Sequence, residues 1–228
     1  PVSVKRNIYD NFWEIRANEY TNEFLIEGGF KKIYDISNQQ EIKVLFLSAS
    51  PSDEDRLLVD LELRKIEEQF EAAKYRELLN FEKKVAVKIE TITKALLDFE
   101  PQIIHFAGHG NKEAIMVENE EGKSELFPLN GLEKLFSLFP ETIDCVLLNS
   151  CYSENQAEVI SNQGIYVIGM NSSISDNVAI NFAKGFYQGL GAGRNIEVSF
   201  RLGLIMISGS SDESSIPVLW KNGIKLKN

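Results

Sequence analysis

Apolar residues fall along this chain in short runs of five or six, separated by longer stretches in which they recur every three or four positions. The runs have the character of strands buried on both faces, and the spaced stretches that of amphipathic helices. The first run is Ile42 to Leu47. Ser50-Pro51-Ser52-Asp53 follows as a turn and cap, and Leu57, Leu61, Ile66 and Phe70 mark one side of a helix from Arg56 to Ala73. Leu78 to Val87 reads as the next strand, and Ile89, Ile92, Leu96 and Leu97 as the inner face of a helix ending near Phe99. Ile103 to His109 is a third strand. Ala114 to Val117 and Glu125 to Phe127 flank a polar loop containing Gly122 and predict a hairpin. A helix near Leu129 to Leu138 leads into an apolar run starting at Cys145. Beyond it come a strand at Ile165 to Gly169 and a helix from Asp176 to Gly189, with Val178, Phe182, Phe186 and Leu190 on one face and Gly189, Gly191 and Gly193 to stop it. A helix over Ile196 to Ile207, a flexible serine-rich loop over Ser208 to Ser215 and a strand at Ile216 to Trp220 complete the pattern. This βαβ alternation predicts an α/β fold, a mainly parallel central sheet with helices on both faces.

Residues 1–40 read differently. Tyr9, Phe12, Trp13, Ile15, Tyr20, Phe24 and Ile26 recur among charges at three- and four-residue spacing, as one or two helices with an aromatic face. They are a helical flap on the main core, or else the end of an upstream domain or a partner-docking segment. Gly28-Gly29 and Asn38-Gln39-Gln40 supply a boundary, which divides the chain into an extension over 1–40 and a domain over 41–228. The start at Pro1 fits a piece processed from something longer.

Composition narrows the function classes. The 228 residues suffice for one α/β domain with a short appendage. With 34 acidic against 24 basic residues the net charge is −10, so the chain has no cationic surplus with which to hold a nucleic-acid backbone. No apolar run approaches the roughly 18 residues that span a bilayer, and no membrane partner is expected. The two cysteines, Cys145 and Cys151, lie six positions apart on one extended segment, about 20 Å, which is too far for a disulfide. A reducing, cytoplasmic compartment follows.

Candidate chemistry gathers at two strand ends. The run Cys145 to Leu148 stops abruptly at Asn149-Ser150-Cys151, and Ser153 and Glu154 then cap a helix carrying Ala157, Val159 and Ile160. Cys151 therefore lies in the crevice where open α/β sheets hold ligands. The strand Ile103-Ile-His-Phe-Ala-Gly-His-Gly110 ends in Gly108-His109-Gly110, so two neighbouring strands would deliver a thiol and an imidazole to one edge. A thiol becomes a nucleophile near neutral pH as thiolate, and an adjacent imidazole and a helix amino terminus both favour that form. The plainer reading of a free cysteine is a small buried hydrophobe. It suits Cys145, whereas polar Asn149, Ser150, Tyr152 and Ser153 surround Cys151. His105, inside the apolar strand, reads as a hydrogen-bonded core residue. Close metal-ligand spacing is missing, so no metal is expected. Neither a phosphate-loop pattern nor a GxSxG elbow occurs, and Glu118, Glu120 and Glu121 read as a solvated hairpin tip.

The segments Ile103 to Gly110 and Val146-Leu-Leu-Asn-Ser-Cys-Tyr-Ser153 resemble the His-Gly and Cys boxes of caspase-like cysteine peptidases, specifically the bacterial CHAT domains. Val44 to Pro51 resembles their opening and Ile174 to Tyr187 their helix after the Cys strand, so the resemblance runs over about residues 42–220. It implies a caspase-like sheet and hydrolysis of a protein or peptide substrate without a cofactor. His109 carries over as the histidine, Cys151 as the nucleophile, and the backbone near Gly110 as part of the oxyanion site. Such relatives are commonly effectors of larger sensor or defence systems, held inactive until a regulatory protein, an upstream sensor domain or self-cleavage releases them. The sequence departs from the caspase pattern Q-A-C-x-G and carries Asn149 where many basic-specific relatives have an acid. Asn149 and Asp176 are the candidate substrate-pocket residues; Asp176 either caps its helix or receives a basic side chain. The rival is a non-catalytic interaction or scaffold module, which has no reason to keep both His109 and Cys151.

Overall fold

The computed structural model describes residues 41–210 and 212–227. The aromatic-faced helices expected within residues 1–40 lie outside the described residues. The chain from 41 onward forms β1 (Ile42–Ser48), α1 (Val59–Glu71), β2 (Leu79–Lys84), α2 (Ile89–Phe99), β3 (Ile103–Ala107), β4 (Ala114–Glu118), β5 (Ser124–Pro128), α3 (Leu129–Phe136), β6 (Cys145–Asn149), α4 (Glu154–Ser161), β7 (Tyr166–Met170), α5 (Asp176–Gly191), α6 (Ile196–Met206), β8 (Pro217–Lys221) and β9 (Ile224–Lys225). The main sheet has the order β2-β1-β3-β6-β7-β8-β9. Its first five strands run parallel, and β8 and β9 close one edge antiparallel. The hairpin β4-β5 forms a separate two-stranded sheet.

Strands β3 and β6 are buried at every position, which only a central strand covered on both faces can be. Alternate residues of β1 serve opposite layers. Val44 and Phe46 pack with Leu63, Ile66 and Phe70 of α1 and with Phe182 and Phe186 of α5, while Leu45 and Leu47 pack with Ile92 and Leu96 of α2, Leu132 of α3 and Ile160 of α4. The helices thus divide between the two faces as the alternation predicts. β2, with Glu82, Lys83 and Lys84, is the charged edge strand, a composition that discourages edge-to-edge pairing.

Several local expectations are corrected. Leu97 is 66% exposed, because α2 turns Ala95 and Leu96 inward. The first helix starts at Val59, so Asp53 caps nothing; its carboxylate instead accepts hydrogen bonds from the Ser124 amide at 2.7 Å and hydroxyl at 3.1 Å, tying the turn to β5. The amide bond chiefly holds the Asp53 carboxyl below its ordinary pKa. Gly189 and Gly191 lie within α5 and serve close packing: a Cβ at Gly189 would meet Ser199 Oγ at 2.6 Å, and one at Gly191 would meet Ala73 Cβ at 2.7 Å. The left-handed residue that ends the segment is Gly193, with φ +70°. The serine-rich loop, where described, contacts the segment between β7 and α5. Glu213 Oε2 accepts from both the amide and the hydroxyl of Ser175 at 2.8 Å, and Asn171 Nδ2 donates to Ser215 O at 3.1 Å.

Close approach of α5 and α6 yields a stability prediction. A Cβ at Gly185 would lie 2.5 Å from the Leu202 carbonyl oxygen, which belongs to the facing helix and cannot swing away. Gly185→Ala is expected to destabilise by about 1–3 kcal/mol despite the better helix propensity of alanine. Gly209→Ala, with open space around its Cβ, should stay within about 0.5 kcal/mol of the parent. Urea unfolding of the two variants measures both.

Candidate active site

The strand ends of β3 and β6 build the site. The two strands pair in parallel from Ile103 opposite Cys145 to Ala107 opposite Asn149, so His109 and Cys151 each stand two residues beyond the last paired position. Gly108 N donates to Asn149 O at 3.3 Å, which prolongs the pairing into the turn. The next approach is closer: a Cβ on Gly110 would fall 2.6 Å from Ser150 Oγ and 3.3 Å from Cys151 O. Glycine at 110 is therefore what allows the histidine turn to press against the cysteine turn. The hairpin supports the same turn, since Met116 N donates to His109 O at 2.9 Å and Gly110 bridges Ile115.

His109 Nε2 lies 2.6 Å from the carbonyl oxygen of Asp55, in the segment between β1 and α1. A carbonyl only accepts, so Nε2 carries the proton and Nδ1 the lone pair, which fixes the tautomer and the ring orientation. Cys151 is half-buried. Its Sγ lies 3.5 Å from Ser173 Oγ and 3.9 Å from Ile174 O, the loop after β7. Among the described residues the ring and the thiol line one cleft but are not hydrogen-bonded to each other. The backbone turn at Cys151 is held by Tyr152, whose φ of +58° is left-handed and whose amide donates to Ser172 O at 3.2 Å. The Ser153 hydroxyl does not cap α4 as expected; it donates to Leu148 O at 3.1 Å and accepts from Met170 N at 3.0 Å, joining the end of β6 to β7.

The remaining expected residues are at the cleft in different roles. Asp176 is the first residue of α5 and its Oδ2 accepts from the Leu58 amide at 2.9 Å, so it binds the segment before α1 and does not take the capping position, which Ser175 occupies. Asp176 lines the cleft with Leu58, Val59, Ile174 and Ile180. Asn149 is 7% exposed; its Nδ2 donates to Glu62 Oε1, and its Oδ1 has no hydrogen-bond partner among the described residues. Cys145 is in the core and desolvation pushes its thiol pKa well up, so it is inert in the folded protein. His105 is fully buried as expected, with Nδ1 3.1 Å from Tyr187 Oη.

Two contributors were missed by sequence reasoning. Asp55 acts through its backbone carbonyl, for which no side-chain signal exists. Glu62 had a signal: its spacing of three from Val59 and four from Ile66 sets it in the inward row of α1, where a carboxylate is out of place.

A family model described as CHAT domain matches residues 17–220. Among solved structures, the chain is similar to the Arg specific cysteine proteinase gingipain R, with TM-score 0.55 and 11% identity over 75% of this chain and 43% of that one. It is also similar to the complex of Porphyromonas gingivalis RgpB pro- and mature domains, with TM-score 0.50 and 11% identity over 80% of this chain and 46% of that one. This chain thus spans less than half the length of either structure, and the likeness establishes the caspase-like fold. No curated protein matches the chain at a significant level.

The contact at Gly110 is testable. Gly110→Ala should cost about 1–3 kcal/mol by overpacking against Ser150. Ser150 Oγ is buried and makes no hydrogen bond among the described residues, so Ser150→Ala should be nearly neutral and should recover more than half of the Gly110→Ala loss. A double-mutant cycle on urea unfolding reads the coupling.

Proposed function

Because this chain belongs to the CHAT domain family, we propose that it is a cysteine endopeptidase using His109 and Cys151 as a dyad. The observation that carries the reading is the meeting of both residues in one cleft, with His109 Nε2 occupied by the Asp55 carbonyl so that Nδ1 is the free base. In the reaction, His109 Nδ1 takes the Cys151 proton and Sγ attacks the scissile carbonyl carbon, forming the C–S bond. The developing oxyanion is received by backbone N–H groups around Gly110 and Cys151. Collapse breaks the C–N bond, and the imidazolium returns its proton to the departing amine. Water, deprotonated by the same ring, then hydrolyses the thioester. None of these steps calls for a cofactor.

The substrate pocket we assign to Asp176 and Asn149. Asp176 offers a carboxylate whose Oδ1 has no partner among the described residues, and Asn149 an unpartnered buried oxygen. Val59, Ile174 and Ile180 supply apolar walls. This combination suits the aliphatic stem and cationic head of Lys or Arg.

As to context, we propose a bacterial cytoplasmic effector whose activity is restrained until a regulatory protein or an upstream sensor releases it. Two unpaired cysteines fit a reducing compartment. A restrained state is supported by the thiol, which rests against Ser173 and Ile174 rather than on the His109 ring.

The test is hydrolysis of a peptide library by the full chain, alone and with candidate activators. Cys151→Ala should abolish turnover, and His109→Ala should lower kcat by about 10²–10⁴-fold. Asp176→Asn keeps an acceptor for the Leu58 amide, so its fold should be unchanged. In that variant kcat/KM should drop at least about tenfold for Lys and Arg peptides, equivalent to about 1.4 kcal/mol, with other peptides unaffected. Near-normal turnover in Cys151→Ala would end the peptidase reading.

A further inference from the structure

One cleft residue has no part in the reaction above. Glu62, on α1, is 5% exposed, and a single oxygen, Oε1, faces two partners. Asn149 Nδ2 donates to it from the end of β6, and His105 Nε2 lies 2.9 Å away on β3, outside hydrogen-bonding geometry and an ion-pair partner only when the imidazole is protonated. His105 is fully buried and its far nitrogen meets Tyr187 Oη of α5, whose phenol stays protonated because burial raises its pKa. A carboxylate buried this far is costly unless fully paired, and apolar residues of similar volume commonly hold a core at least as well. Its partners also have a common feature: Asn149 stands two residues before Cys151, His105 four before His109, and Glu62 seven after Asp55.

We propose that Glu62 is a positioning residue, which locks α1, and with it the Asp55 carbonyl, to the two strands that present His109 and Cys151. Its consequence for catalysis rests on the peptidase reading. Its consequence for the Cys151 thiol does not, because a small alkylating agent needs no substrate pocket. The titratable groups facing the thiol's cleft are His109 from the end of β3, Glu62 from α1 and Asp176 from α5. Changing Glu62 while the other two remain isolates its contribution.

The experiment follows the rate of Cys151 alkylation by iodoacetamide against pH in the intact folded chain, with modification located by peptide mass spectrometry. In Glu62→Ala the rate–pH profile should move to higher pH, the opposite of what loss of an anion from the cleft would do by itself, with a rate at neutral pH about tenfold lower. A misplaced group of this kind readily costs that much. Glu62→Gln retains an acceptor oxygen for Asn149 and should recover at least about half of the parent rate, which assigns the effect to the hydrogen bond rather than to the charge. Should Glu62→Ala fail to fold, Asn149→Ala cuts the same tie from the strand side and should give the same shift. An unchanged profile in the folded Ala variant overturns the proposal. So does a Gln variant as impaired as Ala. A shifted profile in Glu62→Ala together with no peptide hydrolysis by the parent under activating conditions would sink the peptidase reading and leave Glu62 in its assigned role.

Discussion

The parallel pairing of β3 with β6 is the constraint on which the site depends. Its register sets Ala107 beside Asn149, and both chains then leave the sheet at the same level. A slip of one residue would exchange every side chain of a strand between the two layers and carry His109 and Cys151 out of level with each other. The register is secured because all five positions of each strand are buried and because apolar layers on both faces accept only one alternation. Gly110 then lets the two turns approach to within a distance that any side chain would forbid.

The same physics explains which parts of the molecule were legible in the sequence. Strands buried on both faces announce themselves as uninterrupted apolar runs, so β1, β3, β6 and β7 are found within a residue or two of their expected bounds. Cys151 stood out as a reactive type in polar company at the end of such a run. The failures concern side chains whose partners are distant in the chain. Asp53 looked like a cap yet bonds Ser124, 71 positions away. Ser153 also looked like a cap and links two strands. Gly189 and Gly191 looked like helix stops and are contact points for other segments. Local spacing cannot separate these roles, because a short polar side chain or a glycine satisfies either one.

Around the cleft, polar groups do the work of joining elements that apolar packing leaves free to slide. Asp55 holds the imidazole through its carbonyl, Asp176 holds the Leu58 amide, and Glu62 pairs with both central strands. All three ties converge on residues 55–62, the segment that leads from β1 into the first helix. The orientation of His109 is thereby tied to the segment that leads into α1.

The central claim, that Cys151 is acylated with His109 as its base, is tested most directly by trapping the intermediate. The folded chain is mixed with a Lys-containing peptide thioester or activated ester, quenched in acid during turnover and digested, and the acylated peptide is identified by mass. The account predicts a thioester on the peptide containing Cys151, formed in the parent under activating conditions and far more slowly in His109→Ala. Acyl groups on Cys145 instead, or equal rates with and without the His109 imidazole, would contradict it.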